Sequence, residues 1–361
     1  MEKIIDPISV EFLKAELTPA RKLRDTNKGG NEIYLINGKE APNVLQEIGR
    51  LREEAFRKEG GGSGLAADLD IFDTMDVPYM QLVVWDPEAE AILGGYRYIL
   101  GPDIQFGENG QPILATSHMF HFSQRFIEEY LPYTMELGRS FVSPDYQSSK
   151  AGSKALYALD NLWDGIAAIM IEKPGIRYFF GKMTMYPTFD RLGRDMILYF
   201  LKKYFQDKEL LVSPYKAMPF EHAETQLSEI FVENDFKGDY KILNNKVREL
   251  GYTIPPLFNS YMKLSSTMKL FGTAVNDEFS DVEETGILID FEEMYEEKRQ
   301  RHTISFLKSK ITAMRRRFPF VQWLKDDQAL KLLEDKVRSR RILGHDRIKQ
   351  HRSITKVLDI K

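Results

Sequence analysis

Strand-like and helix-like segments alternate through the middle of the chain, and their order constrains the fold more than any other feature. Residues 79–85 and 91–100 are β-prone runs joined by a turn over 86–90, which predicts a hairpin. The segments that follow are a strand around Glu136, a helix over 149–171, a strand over 177–182, a helix over 189–204 and a strand over 209–215. This order predicts an α+β fold, in which helices pack across a central mixed sheet.

The absence of cysteine, together with the composition of the 361 residues, bounds the class of protein. No disulfide framework, thiolate nucleophile or cysteine-ligated metal is available. The chain is 43% apolar and 29% charged, which is typical of a soluble globular protein. The N-terminal residues lack the apolar core of a signal peptide, and no run of about eighteen apolar residues occurs. We therefore expect a cytoplasmic protein without a membrane span.

Residues 134–146, TMELGRSFVSPDY, are the stretch in which we expect the chemistry. A β-prone run that stops at Pro144 would hold Glu136 and Arg139 near the end of a rigid strand. These side chains face opposite ways on a regular strand, and Gly138 between them is a natural position for a bulge that re-aims one of them. The pair would then supply a base and an anion clamp, whereas the alternative is a surface ion pair at a strand end.

Three further clusters have both a chemical and a structural interpretation. Apolar residues at helical spacing predict a helix over 42–58 that ends at the glycine-rich loop 60–64. Because a helix rather than a strand leads into this loop, we interpret it as flexible and not as a phosphate cradle. The acidic run 68–76 lacks calcium-loop spacing, and His118 and His121 lack a third ligand nearby, so we predict no metal site.

Charge is divided unevenly along the chain. Residues 298–352 contain 17 Lys and Arg against 5 Asp and Glu, a local charge of +12, so the rest of this chain of net charge −4 carries −16. Two helices are predicted there, one over 326–341 and an earlier amphipathic one from the spacing of Ile304, Leu307, Ile311, Met314 and Phe318. Three hypotheses remain open: a helical hairpin packed on the acidic body, contact with an anionic membrane surface, and a landing surface for an acidic carrier protein. No motif supports binding to nucleic acid.

Several spaced motifs, taken together, resemble a known family. They are GGYR at 94–97, ELGRSFVSPDY at 136–146, LWDGIAA at 162–168 and PPLFNSYMKLSSTMKLFGTAVNDEF at 255–279. In this order they resemble the N-acyltransferases of the ornithine-lipid synthase type, which belong to the GNAT-like acyltransferases. The chain is also distantly similar to the acyl-homoserine-lactone synthases, through Arg52, Phe56, Asp70, Asp73, Arg97, Glu136 and Arg139.

The resemblance runs over residues 44–295 and implies a GNAT-like acyltransferase domain there. It does not explain the flanking residues, which we interpret from their own patterns as an N-terminal arm or hairpin over 1–43 and a basic helical extension over 296–361. It implies transfer of a fatty acyl group, often 3-hydroxylated, from acyl carrier protein to the α-amino group of ornithine, glycine or serine. The product would be a lyso-aminolipid. No histidine is followed five positions later by the aspartate that phospholipid-type O-acyltransferases use, so a separate O-acyltransferase would add a second chain.

The resemblance also implies roles for individual residues. Glu136 would be the general base, and Arg97 and Arg139 would bind the amino acid's carboxylate or fix the acidic loop. Ion pairing of Arg52 and Arg97 with Asp70 or Asp73 is the structural alternative. The aromatic candidates for an acyl tunnel are Phe56, Phe141 and Trp163, and the basic candidates for binding the carrier protein are Lys150, Lys154, Arg315, Arg316 and Arg317.

The sequence leaves alternatives for the acyl donor and for the function. In coenzyme-A-using relatives a tight glycine-rich turn grips the pyrophosphate, and the corresponding residues 146–152 are degenerate here. This difference favours a phosphopantetheine thioester on acyl carrier protein as the donor, with no bound cofactor. The other two functions are an acyl-homoserine-lactone-type signal synthase and a non-catalytic protein that binds a membrane surface or a carrier protein. Peripheral contact with the inner membrane face stays open in each case.

Overall fold

The structure, a computed structural model, describes residues 1–147, 153–317 and 325–339. The strands are β1 (Lys22–Asp25), β2 (Glu32–Ile36), β3 (Met80–Asp86), β4 (Ala91–Leu100), β5 (Phe120–Phe122), β6 (Thr134–Val142), β7 (Tyr178–Met185), β8 (Val212–Pro214), β9 (Lys269–Asn276) and β10 (Val282–Asp290). Eight of them form one sheet in the order β1-β2-β3-β4-β6-β7-β10-β9, and β5 pairs with β8. Within the eight-stranded sheet β6 and β7 are parallel and the other neighbours are antiparallel.

Helices cover both faces of this sheet. They are α1 (Val10–Glu16), α2 (Pro42–Lys58), α3 (Ile71–Thr74), α4 (Ser153–Glu172), α5 (Arg191–Phe205), α6 (Glu224–Ile230), α7 (Phe236–Glu249), α8 (Pro256–Tyr261) and α9 (Glu296–Arg317), with a further helix over 326–339. Among the described residues, no helix combines the length and apolar character that crossing a bilayer requires. The predicted α+β class with a central mixed sheet is confirmed.

α2 covers the β2, β3 and β4 part of one face. Pro42 occupies the first turn, where its missing N–H costs nothing, and the apolar stripe that predicted the helix is buried. Val44 and Ile48 belong to a cluster that also contains Val83 and Trp85 of β3. The opposite face is covered by α4 and α5, where Leu162 lies in the largest hydrophobic cluster. The sheet is therefore buried on both sides, and a polar side chain within it needs a partner.

The predicted hairpin over 79–100 is confirmed, since β3 and β4 pair as antiparallel neighbours. Gly94 and Gly95 lie in β4, and we predicted that they allow close approach of a ligand or of backbone. A Cβ at Gly94 would lie 2.5 Å from the carbonyl oxygen of Phe141, and a Cβ at Gly95 would lie 2.7 Å from that of Leu82. Neighbouring backbone, rather than a ligand, is what makes glycine necessary there.

Within the N-terminal segment 1–43, β1 and β2 pair as an antiparallel hairpin, and β2 pairs with β3 along its whole length, so this hairpin extends the central sheet. One expectation about the strands needs correction. The strand predicted over 209–215 shortens to β8, which pairs with β5 and not with the eight-stranded sheet. Strand propensity does not predict which strands pair, because pairing depends on contacts between residues far apart in the chain.

α9 packs against α4. Phe306, Leu307 and Ile311 of α9 are buried, whereas Phe318 lies outside the described residues. Lys310 forms an ion pair with Glu172 of α4, and His302 Nδ1 lies 2.8 Å from Asp164 Oδ1. α9 therefore packs on the body, as our first hypothesis of a packed helical hairpin requires of its first helix, and residues 318–324, which would connect it to the second helix, lie outside the described residues.

Candidate active site

The parallel strands β6 and β7 separate part-way along their length. Their pairing runs from Thr134 opposite Tyr178 to Glu136 opposite Phe180, and stops there. Beyond that point a cleft opens between Leu137–Ser140 of β6 and Gly181–Thr184 of β7. Its cavity volume is about 70 Å³, which is room for a few water molecules. The aromatic side chains that line it are Phe56, Tyr96, Trp163, Phe179, Phe180, Tyr186, Tyr261 and Phe279.

A bulge in β6 directs Arg139 into this cleft. The register with β4 shifts between Phe141, opposite Gly95, and Gly138, opposite Arg97. We predicted the bulge at Gly138, but the residue in the left-handed region is Arg139 itself, with φ of 48°. A non-glycine residue there is strained and needs strong contacts to hold it. Arg139 Nε lies 3.0 Å from Asp68 Oδ2, and the guanidinium lies 4.2 Å from the centre of the Phe279 ring.

The acidic run 68–76 is held by buried arginines. Arg97 contacts Asp70 at 2.7 Å and Asp73 at 3.1 Å, and Arg52 contacts Asp73 at 3.3 Å. Burial alone would raise the pKa of Asp73, but the charges of Arg52 and Arg97 outweigh it and lower that pKa to about 2. Asp70 also accepts from Phe72 N at 2.9 Å and starts α3 with a capping box. The structural alternative for Arg52, Arg97, Asp70 and Asp73 is thus the arrangement observed.

Glu136 is buried beside the cleft rather than in its lining. Its carboxylate accepts a hydrogen bond from Thr116 Oγ1 at 2.7 Å and another from the Tyr79 hydroxyl. Burial raises the pKa of Glu136, against the opposing effect of these hydrogen bonds and of the charges of Arg97 and Lys182. Glu136 and Arg139 therefore contact different partners, and the predicted base-and-clamp pair does not converge in this structure.

The three aromatic candidates for the acyl tunnel separate into two groups. Phe56 and Trp163 line the cleft; the Phe56 ring meets Phe279 edge-on at 5.3 Å and the Trp163 ring meets Tyr261 at 6.4 Å. Phe141 instead lies in the cluster under α2, on the far side of the bulge. Its assignment to the tunnel is not supported, because the extra residue in the bulge changes the face on which later residues of β6 lie.

Sequence reasoning missed an ion pair that lines the cleft. Lys182 Nζ of β7 lies 2.8 Å from Glu284 Oε1 of β10, and Thr184 Oγ1 donates to Glu284 Oε2 at 2.8 Å. Asn276 completes the surroundings of this carboxylate through its side-chain amide, at 3.4 Å. A signal was present, since charged residues interrupt two otherwise apolar strands in the middle of a buried sheet.

The glycine-rich loop 60–64 is bound to the end of α2 and is not the flexible segment that we predicted. Ser63 N and Gly64 N each donate to the Glu53 carboxylate at 2.9 Å. Glu53 is fully buried and also forms an ion pair with Arg57. The loop encloses a carboxylate of its own helix, and a Cβ at Gly61 would lie 2.9 Å from the Tyr186 ring in the cleft wall.

Of the five basic candidates for carrier binding, the structure describes the side chains of Arg315 and Arg316. Lys150 falls outside the described residues, and Lys154 and Arg317 lie in helices with their side chains undescribed. Arg315 forms an ion pair with Asp326 at 2.5 Å, and Arg316 is exposed. Carrier binding by these residues stays a prediction.

The histidine pair is separated in the structure. His118 Nε2 lies 3.1 Å from Asn276 Oδ1, whereas the His121 ring meets Tyr215 at 6.1 Å. Within residues 1–147, 153–317 and 325–339, no three His, Cys, Asp or Glu side chains are arranged to hold a metal ion.

Comparisons with known proteins bear on this arrangement. Residues 51–156 match the Acetyltransferase (GNAT) domain family. The chain is 61% identical over 315 residues to the glycine N(alpha)-acyltransferases of Bacteroides thetaiotaomicron and Phocaeicola vulgatus, which covers 87% of this chain and 94% and 97% of those proteins. A solved structure of the CoA-dependent acyl-homoserine lactone synthase BjaI is 12% identical with a TM-score of 0.33, over 78% of this chain and 90% of that one.

Proposed function

Since the chain belongs to the family of the glycine N(alpha)-acyltransferases, we propose that it transfers a fatty acyl group from acyl carrier protein to the amino group of glycine. It is a GNAT acyltransferase that acts on an amino acid. Family membership gives N-acylation of an amino acid, and we propose glycine as the acceptor and acyl carrier protein as the donor. The observation that carries the proposal is the cleft between β6 and β7, whose lining contains aromatic side chains and the ion pair of Lys182 and Glu284.

Glycine is proposed ahead of serine and ornithine because the relatives that are 61% identical to this chain are glycine N(alpha)-acyltransferases. The cavity of about 70 Å³ is too small for a fatty acyl chain, so the aromatic wall containing Phe56 and Trp163 has to move when the donor binds. The separated edges of β6 and β7 suit an extended pantetheine arm, whose amides can pair with strand backbone.

The reaction requires one proton to leave the ammonium group of glycine. The neutral amine attacks the thioester carbonyl carbon, the C–N bond forms and the C–S bond breaks. The nitrogen loses a second proton as the amide forms, and the departing thiolate takes up one proton to become a thiol. Glu136 remains our prediction for the proton acceptor, because its raised pKa makes it a stronger base than an exposed carboxylate. Since Glu136 is covered by Thr116 and Tyr79, the proton would pass through the Thr116 hydroxyl or one water molecule.

The donor is proposed from the charge on the chain. Carrier proteins are acidic, and residues 298–352 carry a local charge of +12 that complements them. Because the product is an acylated amino acid that partitions into lipid, we also propose release at the inner membrane face and a separate O-acyltransferase that adds the second chain.

Purified protein supplied with 3-hydroxyacyl carrier protein or the matching acyl-CoA, and with glycine, serine or ornithine, tests the proposal by mass spectrometry of the product. We expect N-acylglycine, formed faster from the carrier protein. Arg139→Met should reduce the rate about 100-fold, because it releases the bulge that shapes the cleft.

Arg177→Met is the matched control for this variant. Arg177 also pairs with a carboxylate, Asp290 at 2.6 Å, and lies 5.3 Å from an aromatic ring, but outside the cleft. Its replacement should leave acyl transfer within about twofold, because neither Arg177 nor Asp290 lines the cleft. Absence of N-acyl product with all three amino acids would refute the proposed function.

A further inference from the structure

The pair Lys182 and Glu284 has the chemistry of a subsite for a small zwitterion. Both side chains line the cleft between β6 and β7, where the Lys182 side chain is 12% exposed and that of Glu284 is 1% exposed. A cation and a carboxylate 2.8 Å apart neutralise each other in the empty cleft. An amino acid also carries one cation and one carboxylate. Its carboxylate can therefore face Lys182 while its ammonium group faces Glu284.

We infer that Lys182 and Glu284 bind the carboxylate and the ammonium group of the amino acid acceptor, respectively. This inference rests on the proposed function and names the acceptor subsite within the same cleft. Lys182 has donors to spare, since its ammonium has three N–H groups and Glu284 takes one of them. The Glu284 carboxylate accepts a hydrogen bond from the ammonium group. Because both partners are charged, this bond is stronger than one between neutral groups.

Arg139 is the competing cation, and its contacts argue against it. Its guanidinium already lies 3.0 Å from Asp68, 3.7 Å from Asp70 and 4.2 Å from the Phe279 ring. These contacts hold the strained bulge, so recruiting Arg139 for a substrate carboxylate would give up the interactions that position it. Lys182 turns toward a substrate by giving up its ion pair with Glu284, and the ammonium group of the substrate replaces it there.

Glu284 is held in place by groups that do not depend on Lys182. Thr184 Oγ1 donates to one oxygen at 2.8 Å, and the Asn276 amide approaches the other at 3.4 Å. Asn276 is fixed in turn by His118, whose Nε2 lies 3.1 Å from Asn276 Oδ1. The carboxylate therefore keeps its position when Lys182 moves, as preorganised binding requires.

The experiment compares glycine with glycinamide, which has the amino group but no carboxylate, in steady-state acyl transfer by the full chain. Wild-type enzyme should show a KM for glycinamide about 10- to 100-fold above that for glycine, the usual effect of losing a hydrogen bond to a charged group. In Lys182→Met the KM values for glycinamide and glycine should become about equal, and the KM for the acyl donor should be unchanged. Glu284→Gln should raise the KM of both acceptors about tenfold or more.

Lys203→Met provides the matched control, because Lys203 forms a partly buried pair with Asp239 at 2.7 Å far from the cleft. It should retain the glycine preference in full. If Lys182→Met does not fold, Lys182→Arg with the same two acceptors tests the subsite, and it should retain the preference at a raised KM. A glycine preference that survives in Lys182→Met, or one that is absent from wild-type enzyme, overturns the subsite while N-acyl product formation by wild type still supports the proposed function.

Discussion

At the scale of single residues, the chemistry of this protein depends on charges placed inside a sheet that is buried on both faces. Lys182, Glu284 and Glu136 belong to three adjacent central strands. Burying a neutral polar group there without a hydrogen-bond partner would cost about 2–7 kcal/mol, and burying an ionised group without partners would cost more. Each has specific partners, and the arrangement of those partners indicates its role. Glu284 faces the cleft, and Glu136 is held behind Thr116 and Tyr79.

Glu136→Gln separates a catalytic role from a structural one. A general base typically contributes on the order of 100-fold or more, so acyl transfer should fall by at least about 100-fold. The wild-type rate should decline as pH falls through the raised pKa of Glu136, which lies above its usual 4.5. A pH–rate profile of both proteins, with the exposed Glu129→Gln as control, checks this.

The same variant has an expected effect on stability, with the sign set by the direction of the pKa shift. Because the folded pKa of Glu136 is raised, its stabilising contribution is present below pH 4.5 and is lost as pH rises through the folded value. Glu136→Gln removes that loss, so at neutral pH the variant should be at least as stable as wild type in urea unfolding. A loss above about 2 kcal/mol would instead show that the ionised carboxylate is a structural acceptor for Tyr79 and Thr116.

At the scale of elements, two local irregularities shape the cleft. The bulge at Arg139 turns one arginine into the opening, and the loop 60–64 closes around Glu53 at the end of α2. Both use positive φ angles, one on an arginine and the other on glycines. Glycine is necessary in the loop for two different reasons, backbone conformation and the space taken by the Glu53 carboxylate.

Two glycines of that loop separate these reasons. Gly62 has φ of 100° and a Cβ there would lie 3.0 Å from Glu53 Oε1, whereas Gly60 has φ of 89° and nothing within 4 Å. Gly60→Ala should cost about 1 kcal/mol of unfolding free energy from backbone strain alone. Gly62→Ala should cost about 2–3 kcal/mol, because crowding of a buried carboxylate is added. Equal losses in urea unfolding would mean that Glu53 moves aside and that the loop is not packed against it.

At the scale of the whole molecule, the uneven charge is partly neutralised within the chain. Basic residues of α9 pair with acidic ones of α4, as Arg301 does with Asp160 and Lys310 with Glu172. Phe306, Leu307 and Ile311 on the apolar side of α9 are buried, and Ile304 and Met314 are half-buried. A membrane or a carrier protein would then meet the charged outer side of α9 and not its apolar stripe.

Phe306→Ala tests this docking. Phe306 is 2% exposed on α9, and its truncation should lower the free energy of unfolding by about 3–5 kcal/mol. Leu332→Ala is the control, since Leu332 is 57% exposed and should change stability by about 0.5 kcal/mol at most. Urea unfolding of both variants, followed by the same optical signal, makes the comparison. A neutral Phe306→Ala would indicate that α9 does not depend on the body for its position.

Much of the fold followed from the sequence because it depends on local order. Apolar residues at helical spacing predicted α2 at its observed bounds, and the turn between two β-prone runs predicted the hairpin of β3 and β4. The motif pattern predicted an N-acyltransferase of the GNAT type, which the 61% identity to glycine N(alpha)-acyltransferases supports. Periodicity and motif spacing are properties of neighbouring residues, so a sequence displays them directly.

The site was decided by contacts between residues far apart in the chain. Gly138 was the sequence's best position for a bulge, yet the register with β4 placed the strained conformation on Arg139. For the same reason Phe141 packs in the cluster under α2 and does not line the cleft. Lys182 and Glu284 became partners because β7 pairs with β10 across about a hundred intervening residues, with Lys182 opposite Gly286 and Thr184 opposite Glu284. Strand register is set by burial on both faces of the assembled sheet, and no single segment carries that information.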